Sequence, residues 1–173
     1  AELEEQGGAP AWRLAIAGRG EEETRLREMA ADAGIGSRVH LLGFRADAPD
    51  ILAAGDLFVM PSLSEGLPLA LVEAMATGLA IVATDVGGIP EVVARDREAV
   101  LVPAASPAAL AAAMRSLLGD AARRAALGAA AQRRAYRDFS VATMASAYEA
   151  LYRGAPLGAV PPLAASARKD GQA

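Results

Sequence analysis

The chain has no cysteine, which removes disulfides, Cys-ligated zinc and thiol nucleophiles from consideration. Its single histidine, His40, stands in an apolar run and reads as a structural residue rather than a general base. Neither a histidine pair nor a cluster of carboxylates occurs at metal-ligand spacing, so no metal is expected. No apolar run reaches the ~18 residues that a membrane-spanning helix needs. Aromatic residues contribute only 4% although hydrophobic residues reach 53%. Much of that fraction is alanine, and the composition is that of an ordinary globular domain. One lysine, Lys169, and a formal net charge of −4 make a poor grip for phosphate backbones, so nucleic acid is not an expected partner. The opening residues are acidic and lack the basic-then-apolar order of a signal peptide. A cytoplasmic setting is compatible with these absences.

What is present is an alternation. Short apolar runs at 12–17, 39–42, 57–60, 80–83 and 99–102 predict strands. Helical stretches are expected at 21–33, 47–54, 68–77 and from 90, then at 107–118, 121–136 and 141–152. Continuous apolar strands separated by helices argue for a doubly wound parallel sheet covered on both faces, an α/β fold with C-terminal helices. Such sheets hold ligands at the carboxyl ends of their strands. At 173 residues the chain fits one domain, taken as 1–154, with 155–173 expected to be a disordered tail rich in proline and small residues. Residues 1–11 look like the end of a helix plus a loop, which would put the first strand of the sheet upstream.

The most informative segment is 61–78. A strand ends near Met60, a loop carries Ser64-Glu65-Gly66, and a helix opens at Pro68, a residue favoured at that position. The helix looks apolar all round and therefore buried, yet it contains Glu73. A buried carboxylate is costly unless hydrogen-bonded, and a ribose diol could donate to it twice. A salt bridge or a solvent-facing edge would serve equally well. Glu65 could be a partner of the helix dipole. Alternatively, the uncapped helix start with Gly66 could bind an anion, placing sugar hydroxyls beside Glu65. A second glycine-bearing helix start, Gly87-Gly88 before Pro90, repeats the arrangement, although a tight turn explains any single glycine pair.

Gly18-Arg19-Gly20 does not extend to a dinucleotide fingerprint, because its third glycine would fall at Glu23. Three glutamates also crowd that helix start. It reads as a turn at a pocket's edge. No Lys or Arg lies between Arg45 and Arg95. A diphosphate pocket would have to draw its cation from Arg19, Arg45, Arg95 or beyond the chain. Tyr148 and Tyr152, one helical turn apart, suggest a packing face.

In this order the segments resemble the retaining glycosyltransferases of the GT-B fold, group 1 (family 4). The pattern Ser64-Glu65-Gly66 to Glu73-Ala74-Met75-Ala76-Thr77-Gly78 is similar to the family's donor signature of two glutamates with seven residues between them. Residues 14–20, 39–44, 80–93 and 139–152 resemble its flanking elements. The resemblance implies a Rossmann-like C-terminal half that binds a nucleoside diphosphate sugar and uses no further cofactor. Glu65 would be the catalytic and sugar-contacting residue and Glu73 would hold the ribose. Backbone around Gly66, Leu67 and Leu69 would hold the distal phosphate, with Gly18, Arg45, Gly87 and Gly88 completing the donor site.

The family's Arg and Lys that touch the diphosphate have no counterparts here, and neither has the acceptor-binding N-terminal domain. The expectation is therefore an N-terminally truncated transferase, inactive alone, that in full length could sit at a membrane face. Its acceptor could be a sugar, a lipid-linked glycan or a small molecule. The rival is a non-catalytic nucleotide-binding or assembly module of the same fold. An epimerase of similar fold lacks this glutamate context.

Overall fold

The structure, a computed structural model, describes residues 11–154. The expected tail at 155–173 and the start of the chain to residue 10 lie outside the described residues. Five short strands alternate with helices: β1 (Leu14–Ala17), α1 (Glu23–Asp32), β2 (Val39–Gly43), α2 (Ala48–Ala53), β3 (Leu57–Met60), α3 (Leu69–Ala76), β4 (Ala80–Thr84), α4 (Ile89–Val92) and β5 (Val100–Val102). Three longer helices follow, α5 (Pro107–Leu118), α6 (Ala121–Asp138) and α7 (Val141–Tyr152). Every element expected from the sequence is present, with ends moved by a residue or two. The exception is the helix opening at Pro90, which closes after one turn because Val93 is already extended, at φ −130° and ψ 136°.

All pairings are parallel, as apolar strands joined by helical crossovers require. The described strands form two groups rather than one continuous sheet, β1–β2 and β3–β4–β5. β4 is the centre of the molecule, and all five of its residues are buried. Alternation along the strand sends Ile81 and Ala83 to one face and Ala80 and Val82 to the other. The first pair joins a cluster with Leu71, Met75, Ile89, Val92 and Ala131. The second packs with Val102, Leu117 and Leu127. This two-sided cover is why β4 reads as an unbroken apolar run.

The sequence overestimated burial elsewhere. Among the described residues before 57 only Ala30 is buried, so β1 and β2 are covered incompletely. The packing face expected of Tyr148 and Tyr152 is a correction. Both are exposed, at 56% and 89%, and α7 buries none of its residues among those described. His40 is likewise exposed on β2, opposite Ala15.

α6 is held by its length and by small residues. Gly128 lies so close to the turn after α3 that a Cβ there would overlap the Gly78 carbonyl oxygen. The Gln132 side chain donates to the Ala76 carbonyl at 3.0 Å. Asp120 caps the helix by accepting from the Arg123 N–H at 2.9 Å, and Ser140 caps α7 through Thr143 at 3.1 Å. Such caps satisfy donors that a helix start leaves unpaired.

Candidate active site

The carboxyl ends of β3 and β4 lie side by side, since Met60 registers with Ala83. The loop after β3 and the loop after β4 therefore emerge together, and they are bonded to each other. Thr84 Oγ1 donates to the Ser62 carbonyl at 2.7 Å, and the Gly88 N–H donates to the Glu65 carbonyl at 3.1 Å. A Cβ on Gly87 would overlap the Glu65 carbonyl oxygen, and one on Gly88 would overlap that of Gly66. Gly87 also has a φ of +52°, where a side chain is disfavoured. The glycine pair thus lets two backbones touch. One of its N–H groups is already used by Glu65, so Gly88 does not offer that donor to a ligand.

Within the first loop the Ser62 hydroxyl donates to Glu65 Oε1 at 2.6 Å. Glu65 is half-buried while Gly66, Leu67 and Leu69 are exposed. The loop runs into α3 through Pro68, which stands as the capping residue, so the helix begins one place later than the sequence suggested. No side chain caps this end. The Leu71 and Val72 N–H groups reach the Pro68 carbonyl at 3.1 and 3.3 Å. Those of Gly66, Leu67, Leu69 and Ala70 have no hydrogen-bond partner among the described residues. Unpaired donors at a helix start, with the dipole behind them, suit an anion.

Glu73 requires a correction. The helix is not buried all round: Leu71, Ala74 and Met75 face the core, whereas Glu73 is exposed. The reason is tertiary, since α3 is covered by β4 on one side and α6 on the other. Leu69, Ala70 and Glu73 share the open face by helical spacing. The carboxylate therefore bears no burial cost, and it makes no ion pair among the described residues. A surface with an apolar residue, free N–H groups and two carboxylates, all on one loop and helix, remains open beside β4.

The other candidates sit apart in the hydrogen-bond network. The Gly18 N–H is bonded to the Gly43 carbonyl at 2.8 Å, across the β1–β2 pair. It borders a shallow hollow lined by Ile16, Ala17, Arg19, Gly20 and Leu41. Arg45 closes its guanidinium fork on Asp47, at 2.7 and 2.5 Å. That pairing raises the Arg45 pKa and holds the Asp47 carboxyl down at about 2. Arg45 can reach a phosphate only by giving up this partner. Arg95 is engaged by Asp85 at 2.5 Å and by the Leu101 carbonyl. Of the three cations considered from the sequence, only Arg19 has no acidic partner among the described residues. Among those residues no group of three histidine or carboxylate side chains could hold a metal ion.

Sequence reasoning missed Ser62 and Thr84, whose polar bonds join segments 22 residues apart. The Ser-x-x-Glu spacing is the one local hint. It also missed Arg134 and Glu98, which are 4% and 1% exposed and form a buried pair at 3.3 Å. Arg134 also donates to the Glu91 carbonyl at 2.8 Å, tying α6 to the short helix that follows Gly88.

The family profile of the group 1 glycosyl transferases matches residues 1–120. The lipopolysaccharide core biosynthesis mannosyltransferase LpsB of Rhizobium meliloti is 35% identical over 150 residues, covering 83% of this chain and 43% of the relative. The D-inositol 3-phosphate glycosyltransferase of Salinispora tropica is 42% identical over 122 residues, 69% of this chain and 25% of its own length. Among solved structures, Anabaena HepE in complex with UDP superposes with a TM-score of 0.78 at 29% identity, over 84% of this chain and 42% of HepE. The C-terminal domain of the group 1 family protein LpcC from Francisella tularensis gives 0.67 at 25% identity, over 75% of this chain and 71% of that domain. The chain spans less than half the length of the two curated relatives.

Proposed function

The chain belongs to the group 1 glycosyl transferases, with their α/β fold of parallel strands, and from that premise we propose that its open β3–α3 surface is the donor site for a nucleoside diphosphate sugar. The observation that carries the reading is the uncapped start of α3. Four N–H groups without a hydrogen-bond partner among the described residues stand there, between a carboxylate in the loop and a second carboxylate on the same helix.

In this reading the distal phosphate sits against the N–H groups of Gly66, Leu67, Leu69 and Ala70. Their fixed dipoles stabilise the charge that grows on the diphosphate as its bond to the sugar breaks. Glu65 accepts from sugar hydroxyls. Glu73, exposed and acceptor-only, accepts from the ribose diol. The glycosyl group passes to an acceptor hydroxyl with retention at the anomeric carbon, and the acceptor proton leaves with the displaced diphosphate or to solvent. Arg19, two residues past β1 and without an acidic partner among the described residues, is the better cation for the diphosphate than Arg45. The chain spans less than half the length of its two curated relatives, and the share of the reaction assigned to it in this reading is donor binding. The relatives are consistent in kind, HepE having been solved with UDP and with UDP-glucose.

The test is calorimetric titration of the chain with UDP, GDP and ADP, alongside Glu73→Ala. One nucleotide should bind saturably, and the variant should weaken it about tenfold or more, equivalent to about 1.4 kcal/mol. Equal binding by both proteins would remove Glu73 from the site. Absence of binding by all three nucleotides would sink the donor-site reading.

A further inference from the structure

Glu65 has two carboxylate oxygens and no donor of its own, so the direction it presents to a ligand depends on what holds it. One oxygen, Oε1, is taken by the Ser62 hydroxyl at 2.6 Å. Ser62 is in turn anchored through its own carbonyl, which receives the Thr84 hydroxyl at 2.7 Å. Thr84 is 3% exposed and ends β4, the most deeply buried strand. On the far side, the Glu65 carbonyl receives the Gly88 N–H at 3.1 Å. The carboxylate is therefore tied to the core by a short series of hydrogen bonds, Thr84 to Ser62 to Glu65, with its backbone pinned independently by Gly88.

We propose that Ser62 is a positioning residue for the sugar half of the donor, with Thr84 as its anchor. The inference rests on the donor-site reading above and deepens it. With Oε1 occupied, Glu65 offers Oε2 in one orientation, so it can select among sugar hydroxyl arrangements. A free carboxylate would turn to meet any of them. The nucleotide half is untouched by this device, because Glu73 and the N–H groups of Gly66, Leu67, Leu69 and Ala70 owe nothing to the Ser62 hydroxyl. Charge-assisted hydrogen bonds of this length are strong and directional, which suits a locking role.

The experiment compares a free nucleotide with its sugar conjugate on the full chain. UDP against UDP-glucose, and GDP against GDP-mannose, are titrated into the wild-type protein, Ser62→Ala, Ser62→Thr and Thr84→Val. Ser62→Ala and Thr84→Val should bind the sugar nucleotide about tenfold more weakly while binding the bare diphosphate within twofold of wild type. Ser62→Thr, which keeps the hydroxyl, should restore sugar-nucleotide binding. If the variants weaken both ligands equally, Ser62 is merely structural and the proposal fails. It also fails if Ser62→Ala binds UDP-glucose or GDP-mannose as wild type does. A wild-type chain that binds none of the four overturns the donor-site reading itself, and the proposal with it. Near-equal binding of bare diphosphate by all four proteins serves as the folding control.

Discussion

Gly88 shows how much a single hydrogen atom in place of a side chain decides. Its φ of −80° suits any residue, so the requirement for glycine is not conformational. It comes from the Gly66 carbonyl, which occupies the place a Cβ would take. Gly88→Ala must therefore push the 62–66 loop away from α4. It should cost about 1–3 kcal/mol of stability by overpacking and weaken nucleotide-sugar binding at least tenfold, checked by urea unfolding and calorimetry. An alanine variant that binds as wild type would show that the loops are not rigidly opposed. At this scale the glycine pair was legible in the sequence, but its reason was not. The glycine turn is a contact between two backbones, Gly87-Gly88 against Glu65-Gly66. Arg45 teaches the same point. It could be seen as an available cation until Asp47, two positions on, was found closing its fork.

Among the elements, α6 does more than cover the sheet. Its Arg134 reaches across to Glu98 and to the carbonyl of Glu91, while Glu98 receives the Ala94 N–H at 2.8 Å. The segment from α4 to β5 is thereby folded around a buried carboxylate. Leaving a buried charge with no partner typically costs about 3–5 kcal/mol. Arg97, largely exposed, still pairs with Glu98 at 2.7 Å, which lowers the expected loss to about 2–3 kcal/mol. Arg134→Met should be destabilised by that amount in chemical denaturation, and the double variant Glu98→Gln/Arg134→Met should recover a substantial part. A single variant within about 1 kcal/mol of wild type would contradict the assignment. Periodicity and punctuation found α6 and its neighbours because helix length, apolar spacing and capping are local properties. The ion pair spans 36 residues, and no local pattern announces it.

Over the whole molecule, burial is uneven. All the described core residues except Ala30 come from residue 68 onward, around β4. Amides of β4 and the middle of α6 should therefore exchange slowest with deuterium, and those of β1, β2 and α1 should exchange orders of magnitude faster. Uniform protection across residues 14–43 and 80–84 would show that something unseen here covers the first two strands. The expectation of a sheet covered on both faces holds for β4 and not for β1 or β2. A strand's apolar character reports that it can be buried, while the cover depends on which helices return to it. α5 and α6 return to β4.

The sequence alone determined the order and type of the elements, the α/β class, the two-glutamate segment and its family, because strand and helix periods, glycine and proline positions and short motifs are written within a few residues of one another. Only the tertiary structure decided which face of α3 opens to solvent, that Glu73 lies on it, and that Ser62 and Thr84 hold Glu65. Those outcomes depend on which distant backbones meet. They are set by parallel register between β3 and β4 and by the packing of α6, and neither is a property of any local stretch of chain.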